Sequence, residues 1–149
     1  MKSFSLRPLN NNEQDLTAAI DLLTRNCSSE SGRYDRNRLS AEIIPIDSPT
    51  FYKKFYGAYD LEQQLIGVGG IKAADWASDT HILYMMAVEK AHRGQGVGSA
   101  LEKIRIQWLR DNFKHGRCLV STKHQKRFER WHFIAISEIN QRQLMLLEF

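Results

Sequence analysis

Apolar and polar positions change period several times along this chain, and each change marks an element. Residues 3–9 alternate through Phe4 and Leu6 to Pro8-Leu9, which predicts a short first strand ended by proline. Asn10-Asn11-Asn12 supplies turn and helix-cap chemistry, and residues 13–26 carry Leu16, Ile20 and Leu23 at helical spacing. Residues 28–32 form a polar break. A weaker helix is expected over 35–43, stopping before Pro45. Residues 51–60 and 65–74 read as two strands joined by the polar turn 61–64. Gly67, Gly69 and Gly70 weaken the second of these, so a bulge or a close backbone approach is expected there.

Beyond the loop at 75–80, residues 82–88 are continuously apolar, as a central strand buried on both faces would be. Residues 97–113 return to the helical period, with Val97, Leu101, Ile104 and Trp108 on one face; Trp108 is therefore assigned to the core. A short strand follows over 117–121, around Cys118-Leu119-Val120, and a basic short helix over 123–131. Residues 133–139 and 143–149 alternate as a hairpin around Asn140-Gln141-Arg142. The order is β-α-α-β-β-β-α-β-α-β-β. No repeat, low-complexity tract or linker divides residues 1–149, so one domain is expected.

Composition narrows the class. A hydrophobic content of 42% and a charged content of 26% are ordinary for a globular protein. No apolar run approaches the ~20 residues that a membrane span needs. The start, Met1 to Arg7, lacks the apolar core of a signal peptide, so a cytoplasmic protein is expected. Cys27 and Cys118 have no metal-ligand spacing and read as free thiols in a reducing compartment; no metal is expected.

The net charge of +4 is unevenly distributed. Residues 101–130 hold nine Lys or Arg against three acids, Glu102, Asp111 and Glu129. Such a face could meet nucleic acid, but no aromatic-interleaved recognition motif accompanies it. A polyanionic ligand at a neighbouring loop explains the same charge more economically, and a solvated basic face remains the plain alternative.

The chemistry concentrates in Arg93-Gly94-Gln95-Gly96-Val97-Gly98, which follows the buried strand and opens the longest helix. Glycines let backbone approach an anion closely, and a helix start offers unpaired N–H groups and a positive dipole end. A Walker A loop needs Gly-x-x-x-x-Gly-Lys-Ser/Thr, which does not occur in the chain. A dinucleotide fingerprint needs Gly-x-Gly-x-x-Gly, and Gly94-x-Gly96-x-Gly98 has the wrong spacing. A glycine-rich turn without a ligand is the remaining alternative.

Read as Arg93-x-x-Gly96-x-Gly98, the loop resembles the Gln/Arg-x-x-Gly-x-Gly/Ala pyrophosphate signature of the GNAT N-acetyltransferase superfamily. The element order is also that of the family and covers nearly the whole chain. The resemblance implies an α+β, layered acyl-CoA N-acyltransferase fold: a mixed central sheet of about seven strands flanked by about four helices. It implies acetyl-CoA as cosubstrate. Arg93, Gly94, Gln95, Gly96, Val97, Gly98 and Ser99 would hold its pyrophosphate. Main-chain groups of Met86, Ala87 and Val88 would pair with the pantetheine arm, one N–H polarising the thioester carbonyl. His124 lies near where family members place a CoA-contacting Asn, although a surface histidine is equally ordinary there.

Two departures follow from the same alignment. The family's general-base Glu is absent from the strand, where His81, Ile82 and Leu83 stand instead. Phe128 occupies the place of its general-acid Tyr and His132 that of a Gly. The catalytic candidates left are Tyr84, to hydrogen-bond the acceptor or order a water, and His81 as a base near its ordinary pKa of ~6.5. A core tyrosine with a satisfied hydroxyl and a plain loop histidine are the competing readings.

Leu119-Val120-Ser121-Thr122 with Phe128-Glu129-Arg130 also resembles the amino-acid N-acetyltransferase branch of the family. The expected activity is acetyl transfer to the primary amine of a small molecule or amino acid. The alternative is a CoA-binding sensor without turnover. Nucleic acid and membrane partners are disfavoured, and a homodimer through the C-terminal strands is expected.

Overall fold

The computed structural model describes residues 3–27, 34–48 and 50–149. Seven strands form one mixed sheet: β1 (Phe4–Pro8), β2 (Lys53–Asp60), β3 (Leu65–Ala73), β4 (Thr80–Val88), β5 (Arg117–Thr122), β6 (Ile134–Ile139) and β7 (Arg142–Glu148). Their spatial order is β1-β2-β3-β4-β5-β7-β6. All neighbours pair antiparallel except β4 and β5, which run parallel. Four helices complete the fold: α1 (Glu13–Asn26), α2 (Arg36–Glu42), α3 (Val97–Asn112) and α4 (Gln125–Glu129). None is long and apolar enough to cross a membrane.

The helices cover opposite faces of the sheet. Ala19, Leu22 and Leu23 of α1 and Leu39 of α2 pack with Phe55, Val68, Met85 and Ala87. Ile106 and Leu109 of α3 pack with Ile71, Leu83, Val120 and Phe128 on the other side. Asn12 caps α1 by accepting the Asp15 N–H at 2.9 Å, which gives the asparagine run its structural use. Asp35 caps α2 in the same way through the Arg38 N–H. The polar break at 28–32 lies outside the described residues.

Boundaries shift where tertiary contacts override the pattern. β4 begins at Thr80, so His81 is a strand residue and not a loop one. α4 spans five residues instead of the nine expected. Thr122 Oγ1 takes the His124 N–H at 2.9 Å and delays the helix, while His132 at φ 71° turns the chain out of it. The β6–β7 hairpin turns through Asn140 and Gln141, both left-handed (φ 52° and 63°), the two-residue geometry that suits a twisted ribbon.

The buried face of α3 is rotated from the expected stripe. It holds Val97, Leu101, Glu102, Arg105, Ile106 and Leu109. Trp108 is half-buried at the edge of the core, edge-on to Tyr52 at 4.7 Å between ring centroids. A glutamate and an arginine therefore sit where periodicity would place apolar side chains.

Candidate active site

The site begins with a fault in β4. Tyr84 pairs with Gly70 and Ala87 with Val68, so Gly69 alone faces Met85 and Met86. Met85 takes φ 48° to absorb the extra residue. The glycine-rich stretch thus lies opposite the bulge, and the bulge itself is on β4. β4 stays paired to β5 only from Thr80↔Arg117 to Leu83↔Val120. Past that point the two parallel strands separate, and a cleft of about 770 Å³ opens between them.

The far end of the cleft is the start of α3. Gly94 and Gly96 are left-handed, with φ 76° and 85°, and a Cβ on either would meet open space. Gly96 is the helix N-cap, and no side chain caps the helix. The first intrahelical bond runs from the Ala100 N–H to the Gly96 carbonyl at 3.0 Å, so the N–H groups of Val97, Gly98 and Ser99 are left to whatever enters the cleft. A bare, open backbone ahead of an uncapped 16-residue helix fits a phosphate or diphosphate.

Two arginines of α4 and the turn after it complete this end. Arg127 and Arg130 both pair with Glu102, whose side chain is fully buried; Arg130 Nη2 lies 3.4 Å from its Oε2. Trp131 Nε1 donates to the same oxygen at 3.1 Å, and Arg130 Nη2 also donates to Ser99 Oγ at 2.8 Å. Glu102 thereby holds two guanidinium groups beside the exposed N–H groups of α3. The sequence reading missed Glu102, Arg105, Arg127 and Arg130. The Arg127/Arg130 spacing within a basic segment was the available signal.

Of the residues singled out from the sequence, Tyr84, Met86, Ala87, Val88, Arg93, Gly94, Gly96, Val97, Gly98, Ser99 and His124 line the cleft. Gln95 does not; its side chain turns back to the Ala91 carbonyl at 3.3 Å. Arg93 reaches the cleft, yet its guanidinium donates to the Val88 carbonyl at 3.0 Å and to Asn26 Oδ1 at 2.9 Å. It ties the loop to the end of α1. His124 is exposed at the rim.

His81 lies outside the cleft lining. It is buried, with Nδ1 and the Tyr52 hydroxyl 2.7 Å apart and the Phe113 ring at 4.4 Å. Burial holds its pKa below the ordinary histidine value, against the opposing charge of Asp79. Tyr84 faces the α1/α2 side, its ring 5.6 Å from that of Phe55. Its hydroxyl is buried beside the Glu42 carboxylate and makes no close, well-aligned hydrogen bond among the described residues. Burial, and next the Glu42 carboxylate, raise its pKa well above the usual phenol range. Burial pushes the Glu42 carboxyl up, but Lys72 at 2.8 Å, with Lys53 and Tyr84, together hold it below the usual carboxylate range. Phe128 is buried against Phe133, 5.4 Å between centroids, and offers no proton.

A bulged strand splayed from a parallel neighbour, with its gap ending on an uncapped helix, defines the architecture of an acyl-CoA N-acyltransferase. The acetyltransferase (GNAT) family profile matches residues 17–133, and the chain belongs to that family. The match reaches the family and not the amino-acid branch within it.

Among solved structures, an acyl-CoA N-acyltransferase from Pseudomonas aeruginosa is similar, with 15% identity and a TM-score of 0.75. It covers 96% of this chain and 97% of that one. The PaiA N-acetyltransferase from Thermoplasma acidophilum, in complex with coenzyme A, has 16% identity, 99% coverage of both chains and a TM-score of 0.72. The ribosomal-protein-S18-alanine N-acetyltransferase from Escherichia coli has 13% identity, covers 97% of this chain and 93% of that one, and has a TM-score of 0.73. No curated protein matches the chain.

Proposed function

We propose that this protein transfers an acetyl group from acetyl-CoA to the primary amine of a small molecule or amino acid. The observation that carries this reading is the uncapped start of α3 behind Gly94 and Gly96, placed at the end of the β4–β5 gap. Acetyl-CoA is the acyl donor and is consumed. Its diphosphate would meet the N–H groups of Val97, Gly98 and Ser99 together with Arg127 and Arg130. Its pantetheine arm would lie along Met86–Val88, whose N–H groups can polarise the thioester carbonyl. The Thermoplasma structure, solved with coenzyme A, supports the choice of donor.

The amine would approach from the α1/α2 face, where Tyr84 stands. A neutral amine is needed for attack, and the Tyr84 hydroxyl is placed to pass its proton towards Glu42 or to order a water. The buried Cys118 thiol is free, which supports a cytoplasmic setting. The homodimer expected from the C-terminal strands would use β6. It is one of the two edges of the sheet, and Ile134, Ile136 and Ile139 are 62%, 49% and 70% exposed on it.

The decisive experiment is calorimetry with CoA and acetyl-CoA, followed by thiol release over a panel of amines and amino acids. Binding and turnover in the wild type, both lost in Gly96→Trp, support the reading. Absence of heat and of any melting shift with either ligand overturns it.

The buried Phe128 in the place of a proton donor favours a second reading, a CoA sensor. That protein would be stabilised by ~2.7 kcal/mol at a hundredfold excess of ligand over Kd, without turnover on any amine.

A further inference from the structure

Arg105 is 1% exposed, two turns into α3, and it lines the cleft. Its Nε donates to the Leu101 carbonyl at 2.9 Å, its Nη1 to the Gly70 carbonyl at 2.9 Å, and its Nη2 to Met86 Sδ at 3.0 Å. A guanidinium carries five N–H donors, so these contacts leave two unassigned. No carboxylate pairs with it among the described residues. Glu102, the acid one turn before it, is engaged by Arg127, Arg130 and Trp131. Burying an unpaired cation is costly, and the fold accommodates this one deliberately. A Cβ on Gly69 would stand 3.0 Å from Arg105 Cζ, so the glycine opposite the bulge makes its room.

The position matters more than the burial. Arg105 is eight residues past the start of α3, about 12 Å along the axis from the phosphate-binding end. It lies under the bulge, on the α3/α4 side of the sheet. The donor's sulfur would remain on that side after the amine has attacked from the other. Its Nη2 already rests on a sulfur, the thioether of Met86, which is a weak acceptor; a thiolate is a far stronger one.

We propose that the Arg105 guanidinium stabilises the CoA thiolate as it leaves, in place of the proton that Phe128 cannot supply. The inference rests on the acetyl-CoA reading above. In the step concerned, the amine nitrogen forms a bond to the acyl carbon and the carbon–sulfur bond breaks. The electron pair of that bond stays on sulfur, where Arg105 meets it. The proton lost by nitrogen leaves through Tyr84 or water on the opposite face, and the thiolate is protonated by solvent after release. No acid within the protein is required. Other ionisable groups acting on Arg105 are Glu102, Cys118 and Arg127, and burial outweighs them in lowering its pKa to about 10, so it stays cationic at neutral pH.

The test needs no acceptor. The ultraviolet band of the thiolate is titrated in enzyme loaded with CoA, against enzyme loaded with desulfo-CoA so that the protein's own thiols cancel. The Cys118 thiol, pushed up to about 12 by burial, stays protonated over the range used. Bound CoA is expected to show a thiol pKa roughly one to three units below that of free CoA. Arg105→Met should restore the free value with CoA affinity held within about threefold at a pH where the thiol is protonated. Arg105→Lys, which keeps a cation, should retain most of the lowering. A wild-type thiol pKa equal to that of free CoA overturns the proposal while leaving the site reading intact. An unchanged lowering in Arg105→Met overturns it as well. Absence of CoA binding altogether would instead remove the acetyl-CoA reading on which it rests. Should Arg105→Met fail to fold, the wild-type titration and Arg105→Lys decide the matter: loss of the lowering with lysine in place also overturns it.

Discussion

The Cβ that Gly98 lacks would stand 2.6 Å from Nη2 of Arg127. The third glycine of the loop is thus small because a guanidinium from α4 lies across the first turn of α3. The family signature accepts Ala at this position, but here even a methyl group must displace Arg127. Gly98→Ala should weaken CoA binding roughly three- to tenfold, a modest loss because Arg127 is 35% exposed and partly screened. The same substitution in an Arg127→Ala background should cost nothing further, since the two residues are coupled through one contact. Calorimetric titration of the four proteins checks this. Equal losses in both backgrounds would separate the two residues.

Glu102 gathers Arg127, Arg130 and Trp131 from a fully buried position. Glu102→Gln keeps the shape and removes the charge, leaving two arginines uncompensated near a third. Breaking a fully buried pair costs about 3–5 kcal/mol. The arginines are 35% and 50% exposed and regain some hydration, so about 2 kcal/mol is expected. It would register as a lower urea midpoint with an unchanged slope. A midpoint equal to the wild type would show that the acid does not hold these elements together.

His81 makes stability depend on pH in a defined window. Burial lowers its folded pKa below the unfolded value of ~6.5. The unfolded chain therefore binds the proton first. The stabilisation is complete above pH ~6.5 and is lost as pH falls through that value towards the lowered folded pKa. Asp15, lowered by Arg7 and the Asn10 N–H against its burial, acts in a separate window. Its contribution is complete above pH ~4 and lost below it. His81→Gln should flatten the melting temperature between pH 5 and pH 6.5 and leave the fall below pH ~4 in place. A wild-type curve that is level from pH 7 to pH 5 would contradict the assignment.

These residues also show what the sequence made legible. Alternation and helical period located the seven strands and four α-helices of the described residues, though not the 3-10 turn Lys90–His92, because burial of one face leaves a trace at period 2 or 3.6. The glycine loop was legible because few other residues can take φ 76° and 85° ahead of a helix. The bulge at Met85 was not, since an apolar strand reads the same with or without an extra residue. Glu102 and Arg105 were invisible because hydrophobic period assigns charged residues to the outside, and only tertiary pairing brings them in. His81 was read as a base near its ordinary pKa because the partner that buries it, Tyr52, is 29 positions away. Arg93 was assigned to phosphate on the signature alone, whereas its side chain is engaged by Val88 and Asn26.

The β6 edge carries an association prediction. Ile134, Ile136 and Ile139 are well exposed on this strand, and Ile136 sits at a break in register between Ala135 and Ser137. An edge strand with apolar side chains pairs readily with another unless charge interrupts it. Light scattering at micromolar concentration should give twice the 17.3 kDa chain mass. Ile136→Lys should give the single mass with CoA affinity unchanged. A wild-type monomer under these conditions rules the dimer out.

Tyr84 carries the mechanistic prediction. Its hydroxyl is buried beside Glu42 without a close, well-aligned hydrogen bond among the described residues, and burial followed by that carboxylate raises its pKa. A hydroxyl with no close hydrogen bond adds little to stability, so its removal should not destabilise the fold. If it passes the amine proton or orders a water, Tyr84→Phe should lower kcat roughly ten- to hundredfold. CoA affinity should stay the same, because the phenol lies on the α1/α2 face and the groups proposed to meet the diphosphate belong to α3, α4 and the turn after it. The KM for acetyl-CoA should follow that affinity, which separates a lost proton path from lost donor binding. Full turnover in the phenylalanine variant would return Tyr84 to the core and leave proton removal to solvent.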